Sequence, residues 1–369
     1  MKILITTVKL GMGHFKASES LSKQLKTQYP DAEIVVLDFL HYVFPDYSKK
    51  IYDTYTQFVK KGKKLYNYLY QKSESSSIHC QAFIPPHFVH KMEKCIFEQM
   101  PDVIISTCSL CSQVVSLAKE KTYINTPFIT CITDFSSHPS WRNPHTDFYL
   151  VGSIAIKEKL IQDGIPENKI CVNGIPVQDE FQPAKSSEAT LGQYQTKKLL
   201  IMGGGLGLIP SGESFFDFLN HHAYIKTTVI VGNNKKLLRK LREAYQNIYI
   251  IGYTKHVAFY MQQADLVLTK PGGLTLSEAI HCEVPLLLFK PELNQEVKNC
   301  EFILQKNIGE IFSPVHTEQI EQFIFDDTRL LQMKKNMQLL KSEIDREPLY
   351  QFLSAACYDV FTPLYSHGK

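Results

Sequence analysis

The chain has 369 residues, of which 44% are apolar and 21% are charged, and its formal net charge at neutral pH is +3. The composition is typical of an ordinary soluble globular protein, and the length is about twice that of a usual domain, so two separate cores are expected. A charge of +3 is too small to indicate nucleic-acid binding by itself, and no apolar run approaches the roughly 20 residues of a membrane span, so any membrane contact is expected to be peripheral.

Nine cysteines are scattered between Cys80 and Cys357, and this odd number does not resemble a disulfide framework. The N-terminus leads directly into a predicted strand without the segments of a secretory leader, so we expect a reduced, cytoplasmic protein. Cys108 and Cys111 have the spacing of a redox motif. Because no second such pair accompanies them, we expect these two cysteines to pack in the core or to line a pocket.

The first half of the chain alternates short apolar runs with amphipathic stretches, which predicts a parallel sheet with helical crossovers. We therefore predict a Rossmann-like, doubly wound domain over 1–178. The strand-like runs are KILITTV (2–8), EIVVLD (33–38), DVIIST (102–107), PFITCIT (127–133) and FYLVGS (148–153).

A glycine-rich turn joins the first predicted strand to the first predicted helix, within TTVKLGMGHFKASESL (6–21). Lys16 stands where a dinucleotide fingerprint would have its third glycine, and the Gly-Lys-Ser/Thr of a Walker A loop is missing. Gly11 and Gly13 let the backbone approach a ligand, and the helix start favours a polar or anionic group. The pattern indicates a ligand site with His14 in it. The alternative is a histidine that caps the helix and packs in the core.

The segment 46–72 combines seven lysines with several tyrosines, in a helical pattern broken at Gly62. Basic side chains attract anionic lipid head groups, and aromatic rings favour a bilayer interface. The segment therefore predicts contact with an anionic membrane surface. No nucleic-acid-binding motif accompanies it, so no nucleic-acid partner is expected. The alternative is a solvated pair of helices whose tyrosines pack on the core.

The second half repeats the alternation after a polar stretch at 184–198. We assign a second Rossmann-like domain to 179–345 and a C-terminal helix and tail to 346–369. Two such halves in series predict a cleft faced by the carboxyl ends of both sheets, where open α/β sheets bind ligands. The strand-like runs are LLIMGGG (199–205), TTVIVG (227–232), IYIIG (248–252), DLVLTK (265–270) and VPLLLFK (284–290).

A strand, a glycine turn, a helix and another buried strand follow one another in DLVLTKPGGLTLSEAIHCEVPLLLF. Gly272 and Gly273 bring the backbone close to a ligand, and the amides of Leu274 and Thr275 point outward at the helix start, which suits a diphosphate. Glu278, about one turn into the helix, can accept hydrogen bonds from both hydroxyls of a ribose. Together these features predict a nucleotide site.

Three polar side chains follow the next strand in KPELNQEVKN, namely Gln295, Glu296 and Asn299. Positions 295 and 299 share a helix face, and amide and acid groups suit the hydroxyls of a sugar. The alternative is an ordinary helix N-terminus without a binding role.

In their order and spacing, these motifs resemble the GT-B glycosyltransferases that include the monogalactosyldiacylglycerol synthases and the bacterial processive diacylglycerol glucosyltransferases. The resemblance implies the GT-B fold, in which two Rossmann-like doubly wound domains face a central cleft, and in relatives a C-terminal helix crosses back to the first domain. The motifs are GMGH, ITDFSSHPSW (132–141), NGIPV (173–177), GGGLG, TKPGGLTLSEA and QEVKN.

The resemblance implies a UDP-hexose as the donor and assigns four groups of residues to its site. The family's turn near the diphosphate matches Gly203, Gly204 and Gly205, and its uracil loop matches Gly252, Tyr253 and Thr254. The phosphate and ribose site matches Gly272, Gly273, Leu274, Thr275 and Glu278. The contacts to the donor sugar match Gln295, Glu296 and Asn299.

Inversion at the anomeric carbon, which the resemblance also implies, needs a base beside the acceptor and positive potential beside the leaving diphosphate. His14 matches the family's histidine and is assigned as the base or as the group that positions it, with Asp134 as its rival or partner. His138 and Trp141 join the glycine turn on the acceptor side. A helix start can supply the positive potential, so no metal and no obligatory cofactor are expected.

The resulting hypothesis is an inverting transferase that moves a hexose from a UDP-sugar to a lipid, with diacylglycerol as the favoured acceptor. The enzyme would associate peripherally with the cytosolic face of the cell membrane.

Two motifs depart from the family pattern: Leu293-Asn294 replaces the Pro-Gly of many relatives, and STCSLCS replaces a Thr-x-Pro turn. These departures leave open the choice of glucose, galactose or N-acetylglucosamine and the exact lipid. The alternatives are an enzyme like UDP-N-acetylglucosamine 2-epimerase and an inactive UDP-sugar-binding regulatory protein.

Overall fold

The computed structural model describes residues 1–75, 84–184, 196–205, 207–209, 212–313 and 317–358. The chain divides into two compact units, each with one six-stranded sheet. The first unit comprises Met1–Thr133, Ser137–Pro176 and the C-terminal segment from Glu343, and the second comprises Asp134–Ser136 and Val177–Ser342. Most of the predicted polar linker lies outside the described residues.

The sheet of the first unit is parallel throughout, and its central strands are buried because helices cover both faces. Its strands are β1 (Lys2–Thr7), β2 (Glu33–Asp38), β3 (Val103–Ser106), β4 (Phe128–Cys131), β5 (Phe148–Val151) and β6 (Ile170–Val172). They lie in the order β2-β1-β3-β4-β5-β6. The five predicted strands are confirmed, and β6 was not predicted because three residues are too few to show a period.

The helices of the first unit cover the two faces of its sheet. They are α1 (Gly13–Gln28), α2 (Phe39–Val43), α3 (Ser48–Lys61), α4 (Lys63–Ser75), α5 (Pro86–Gln99), α6 (Ser109–Thr122), α7 (Ile154–Gln162) and, from the C-terminal segment, α15 (Glu347–Tyr358). On one face, Ile3 of β1 packs in a cluster with Leu21 of α1 and Leu353 of α15. The rings of Phe148 and Phe352 stack with centroids 4.7 Å apart. The C-terminal helix therefore belongs to the core of the first unit.

The second unit repeats the architecture with its own parallel sheet. Its strands are β7 (Lys197–Met202), β8 (Ile225–Ile230), β9 (Tyr249–Ile251), β10 (Leu266–Thr269), β11 (Leu286–Phe289) and β12 (Gly309–Phe312), in the order β12-β11-β10-β7-β8-β9. Its helices are α8 (Glu213–His221), α9 (Lys235–Ala244), α10 (Val257–Gln262), α11 (Gly273–Cys282), α12 (Asn294–Gln305), α13 (Glu318–Ile324) and α14 (Asp327–Ser342). The edge strand β12 was not predicted because Glu310 and the exposed Ile311 interrupt its apolar run.

The strand orders define one switch point in each sheet, where successive connections leave in opposite directions. In the first sheet this point lies between β1 and β3, and in the second sheet it lies between β7 and β10. Ligands of open α/β sheets bind beyond the carboxyl ends of the strands at such points. A ligand is therefore expected to bind at the turns that follow these four strands. Across the described ranges, no helix is both long and apolar enough to cross a membrane.

Candidate active site

The turn after β1 holds His14 at the start of α1. Gly11 and Met12 both have a left-handed backbone, with φ of 72° and 68°. This conformation costs little for glycine but strains a methionine, so the surrounding structure must hold the turn in place. Gly13 begins the helix, and His14 follows it with a half-buried side chain.

Two threonines fix the ring and the backbone of His14. Nδ1 of His14 lies 2.6 Å from Oγ1 of Thr133, and that hydroxyl donates its hydrogen to the carbonyl oxygen of Thr107 at 3.3 Å. Because a hydroxyl has one hydrogen, Oγ1 accepts from Nδ1–H, and this network assigns the tautomer. Nε2 then carries the lone pair. The hydroxyl of Thr107 also donates to the carbonyl oxygen of His14 at 3.1 Å.

Of the two side chains predicted to face the acceptor, Trp141 contacts His14 and His138 contacts α4. The Trp141 ring is 3% exposed and meets the His14 ring edge-on, with centroids 6.1 Å apart. His138 caps the short 3₁₀ turn Pro139–Trp141 and packs against Tyr70 of α4 at a centroid distance of 4.3 Å. Trp141 thus packs against His14 beside the glycine turn, and His138 links the 3₁₀ turn to α4.

Cys108 and Cys111 lie at the start of α6 and are buried in the same core cluster. A hydrogen bond from Cys111 lowers the pKa of Cys108, against the opposing effect of burial. Burial, with the hydrogen bond to Cys108 as the second cause, raises the pKa of Cys111. The pair packs in the core, as the sequence predicted.

Asp134 belongs to the second unit, where α12 holds it. Its Oδ1 accepts a hydrogen bond of 2.7 Å from Nε2 of Gln295, and Asn299 Nδ2 lies 3.5 Å from the same oxygen. Asn299 also accepts from the backbone N–H of Phe135 at 2.9 Å and donates to the carbonyl oxygen of Pro271 at 3.1 Å. At 1% exposure, Asn299 ties the Asp134 segment to the turn after β10.

The glycine turn after β7 needs its glycines for steric reasons. A Cβ on Gly203 would lie 2.5 Å from the backbone nitrogen of Leu208, and one on Gly207 would lie 2.0 Å from the carbonyl oxygen of Val231. Gly204 has a φ of 65°, and a Cβ there would lie 3.1 Å from Cε of Lys270. Gly205 has open space around its Cα. The backbone of this turn is thus exposed to a ligand beside a lysine side chain.

The turn after β10 starts α11 at Gly273, with Gly272 as its N-cap. No described side chain accepts a hydrogen bond from the first backbone amides of this helix, so these amides can bind an anion. Leu274, Thr275 and Glu278 of the predicted nucleotide site are half-buried on the first two turns. This helix start lies at the switch point between β7 and β10.

Lys270 was not predicted from the sequence as a site residue, although it lies just before the two glycines in the motif TKPGGLTLSEA. Its Nζ lies 2.9 Å from Oε1 of Glu296 on α12, and its stem runs past Gly204. One cation therefore joins the glycine turn after β7 to the carboxylate predicted to contact the sugar. A lysine in this position supplies positive charge where a diphosphate would bind.

The loop after β9 contains the residues predicted to hold a uracil. Tyr253 is 56% exposed, and Oγ1 of Thr254 accepts a hydrogen bond of 3.1 Å from the backbone N–H of His256. Gly252 packs near Leu238, whose Cδ2 would lie 3.3 Å from a Cβ at that position. The Thr254 side chain thus holds the loop backbone at His256, while the Tyr253 side chain is exposed to solvent.

Comparison with known proteins identifies sequences that are similar to this chain. The family model described as "Monogalactosyldiacylglycerol (MGDG) synthase" matches residues 14–177. A protein of Staphylococcus saprophyticus named processive diacylglycerol beta-glucosyltransferase is 28% identical over 350 residues, which cover 91% of this chain and 88% of that protein.

Two solved structures share the fold at low sequence identity. MurG of Acinetobacter baumannii superposes with a TM-score of 0.61 at 12% identity, over 97% of this chain and 99% of that one. A UDP-N-acetylglucosamine 2-epimerase gives a TM-score of 0.58 at 12% identity, over 100% of this chain and 99% of that one. These likenesses show the fold alone. That fold is GT-B, and the sequence matches show that the chain is similar to monogalactosyldiacylglycerol synthases and processive diacylglycerol glucosyltransferases.

Proposed function

We propose that this chain transfers a hexose from a UDP-sugar to diacylglycerol, with inversion at the anomeric carbon. One observation carries the proposal: Lys270, the glycine turn after β7 and the uncapped start of α11 converge at one switch point. Together they form a site for a nucleoside diphosphate. The acceptor class follows from the names of the relatives.

The second unit acts on the leaving group. As the bond between the anomeric carbon and the UDP oxygen breaks, negative charge grows on the diphosphate. The ammonium of Lys270 and the first amides of α11 stabilise that charge, and they are already in place before the reaction. The ion pair with Glu296 holds Lys270 in position, since its Nζ–Oε1 distance is 2.9 Å.

The first unit supplies the base. Nε2 of His14 takes the proton of the acceptor hydroxyl while the acceptor oxygen bonds to the anomeric carbon. The Thr133 hydroxyl keeps the second proton on Nδ1, so Nε2 stays a proton acceptor. Asp134 is the poorer base, because Gln295 and Asn299 already donate to its Oδ1 and its side chain is buried. We assign to Asp134 the positioning of α12.

The pair α3 and α4 suits the surface of an anionic membrane. One face of α3 forms an open, mostly apolar groove of about 510 Å³. Its lining side chains recur at helical spacing and are Tyr47, Lys50, Ile51, Thr54, Tyr55 and Phe58. On α4, Leu65, Tyr68 and Leu69 are each more than half exposed. Apolar and aromatic groups among lysines favour the lipid interface, so we propose peripheral association with the cytosolic leaflet.

The test is release of UDP from UDP-glucose, UDP-galactose and UDP-N-acetylglucosamine, each with and without diacylglycerol in mixed micelles. We expect one donor to give lipid-dependent release, with a glycosyldiacylglycerol as the product. His14→Ala should lower kcat by about 10²–10⁴, the usual contribution of a general base. Release that needs no lipid, or an epimerised UDP-sugar as the product, would contradict the proposal. Binding of a UDP-sugar without turnover would favour the regulatory alternative.

Co-sedimentation with phosphatidylglycerol vesicles tests the membrane contact separately. Lys49→Glu with Lys64→Glu reverses two charges of the α3–α4 pair and should abolish binding at low salt. A matched control is Lys235→Glu with Lys236→Glu, which reverses two neighbouring lysines at the start of α9 in the second unit. If both double variants bind vesicles like the wild type, α3 and α4 are not the docking surface.

A further inference from the structure

The turn around His14 contains a strained methionine and is held by contacts outside the threonine network. Met12 has a φ of 68° and is 37% exposed, so its own side chain contributes little packing. A non-glycine residue in this conformation persists only where neighbouring groups determine it. The groups that do so lie on both sides of the turn.

Lys9 closes the turn across its base. Its Nζ lies over the Phe15 ring at 4.4 Å from the centroid, a cation–π contact between the residues that flank the turn. The same Nζ lies 3.6 Å from Oδ2 of Asp38 at the end of β2. Asp38 therefore fixes the cation that closes the turn.

Tyr52 connects this cation to α3. Its hydroxyl donates a short hydrogen bond to Oδ1 of Asp38, the carboxylate whose other oxygen faces Lys9. Burial, together with this hydrogen bond, raises the pKa of Tyr52 far above its ordinary value, so the phenol keeps its proton and remains a donor. The carboxylate of Asp38 is 9% exposed, which limits the access of water to its hydrogen bond with Tyr52, whereas the Lys9 side chain is 40% exposed.

We propose that Tyr52, Asp38 and Lys9 form a strap that positions the His14 turn and transmits contact at the surface of α3 to it. Tyr52 is a positioning residue in this scheme, since it acts on His14 only through Asp38 and Lys9. The expected effect on catalysis rests on the proposed function, whereas the expected effect on the conformation of the His14 turn does not. A lipid seated on α3 would restrain Tyr52 and thereby the turn that carries the base.

The variant Tyr52→Phe removes the hydroxyl and keeps the ring. Its matched control is Tyr42→Phe, because the Tyr42 hydroxyl also donates to a carboxylate, that of Glu98, at 2.9 Å, away from the turn. A second variant, Asp38→Asn, keeps an oxygen for Tyr52 but removes the charge that faces Lys9. The three variants separate loss of the strap from the general loss of a tyrosine–carboxylate bond.

Hydrogen–deuterium exchange of peptides covering residues 8–16 is the first readout, with and without phosphatidylglycerol vesicles that contain diacylglycerol. In the wild type, vesicles should slow exchange in the turn. In Tyr52→Phe and Asp38→Asn, exchange should be at least about tenfold faster without vesicles, and the vesicle effect should disappear. Wild-type exchange in Tyr52→Phe, or an equal change in Tyr42→Phe, would overturn the strap.

Kinetics are the second readout. We expect Tyr52→Phe to lower kcat of lipid-dependent UDP release by about ten- to a hundredfold, as for other small misplacements of reacting groups. The dissociation constant for UDP should stay the same, because the donor site lies in the second unit. A rise in KM without a fall in kcat would contradict the positioning role. If the wild type shows no lipid-dependent release, the proposed function fails, and the exchange experiment still decides the strap.

Discussion

Nδ1 of His14 lies 2.6 Å from Oγ1 of Thr133, and this contact leaves Nε2 as the atom that can accept a proton. This hydrogen bond gives Thr133, which lies in the motif ITDFSSHPSW, the role of holding a proton on Nδ1 of His14. It also makes the protonation pattern of the proposed base depend on the Thr133 hydroxyl, which mutation can test directly.

Thr133→Val should lower kcat by about 10- to 100-fold with little change in KM, because the ring loses the acceptor that holds its proton on Nδ1. Thr133→Ser keeps the hydroxyl and should retain most of the activity. UDP release at saturating donor and lipid measures the effect. Thr130→Val is the control, since Thr130 is also buried and its hydroxyl bonds to that of Thr146 at 2.9 Å instead. Equal activity of Thr133→Val and Thr130→Val would exclude the tautomer role.

The donor side can be tested at Lys270. Lys270→Met should lower kcat by roughly 10²–10³, because the leaving diphosphate loses a preorganised cation and Glu296 is left unpaired. Lys270→Arg should retain more activity than Lys270→Met. Adding Glu296→Gln to Lys270→Met removes the unpaired carboxylate, so the double variant should be more stable to urea than the single one.

A surface lysine of the same unit provides the comparison for Lys270. Lys298 on α12 pairs with Glu301 at 3.7 Å and is 43% exposed. Lys298→Met should leave kcat within about twofold of the wild type, because an exposed pair contributes little. If Lys270→Met were no worse than Lys298→Met, the diphosphate would have to be held by other groups.

The main features of the fold could be predicted from the sequence, because buried parallel strands appear as continuous apolar runs. Short edge strands could not, since the three residues of β6 and the interrupted run of β12 carry no such signal. The glycine turn before α11 could also be predicted, because two glycines followed by a helical pattern are a local signal in the sequence.

Contacts between residues that are far apart in the chain could not be predicted from the sequence. Gln295 and Asp134 are 161 positions apart, and Asn299 and Pro271 are 28 apart. The spacing in QEVKN predicted a shared helix face but not its partner. Within the second unit, both amide groups turn to the Asp134 segment. Lys270 was overlooked for a related reason: its neighbour Gly204 lies on another strand end.

The turn after β7 makes a prediction on stability. Gly207→Ala should lower the free energy of unfolding by roughly 2 kcal/mol or more, because φ is 61° and the new methyl would meet the carbonyl oxygen of Val231. Urea denaturation followed by circular dichroism measures the loss. Gly212→Ala is the control, since its φ is −81° and, among the described residues, no atom beyond its chain neighbours lies within 4 Å of a Cβ there. A loss as large in Gly212→Ala would mean that the effect is not steric.

The thiol pair makes a prediction on pH. Because the hydrogen bond from Cys111 lowers the pKa of Cys108, its thiolate persists to lower pH than that of an ordinary thiol and is lost as the pH falls further. Modification of Cys108 by a small thiosulfonate, followed by peptide mass spectrometry, should therefore accelerate with rising pH at a lower midpoint than for an ordinary thiol. In Cys111→Ala the donor is gone, so the midpoint should move upward toward the range of an ordinary thiol. Val114→Ala, a neighbouring core change that keeps both sulfurs, controls for loosened packing. An unchanged midpoint in Cys111→Ala would show that another group stabilises the thiolate.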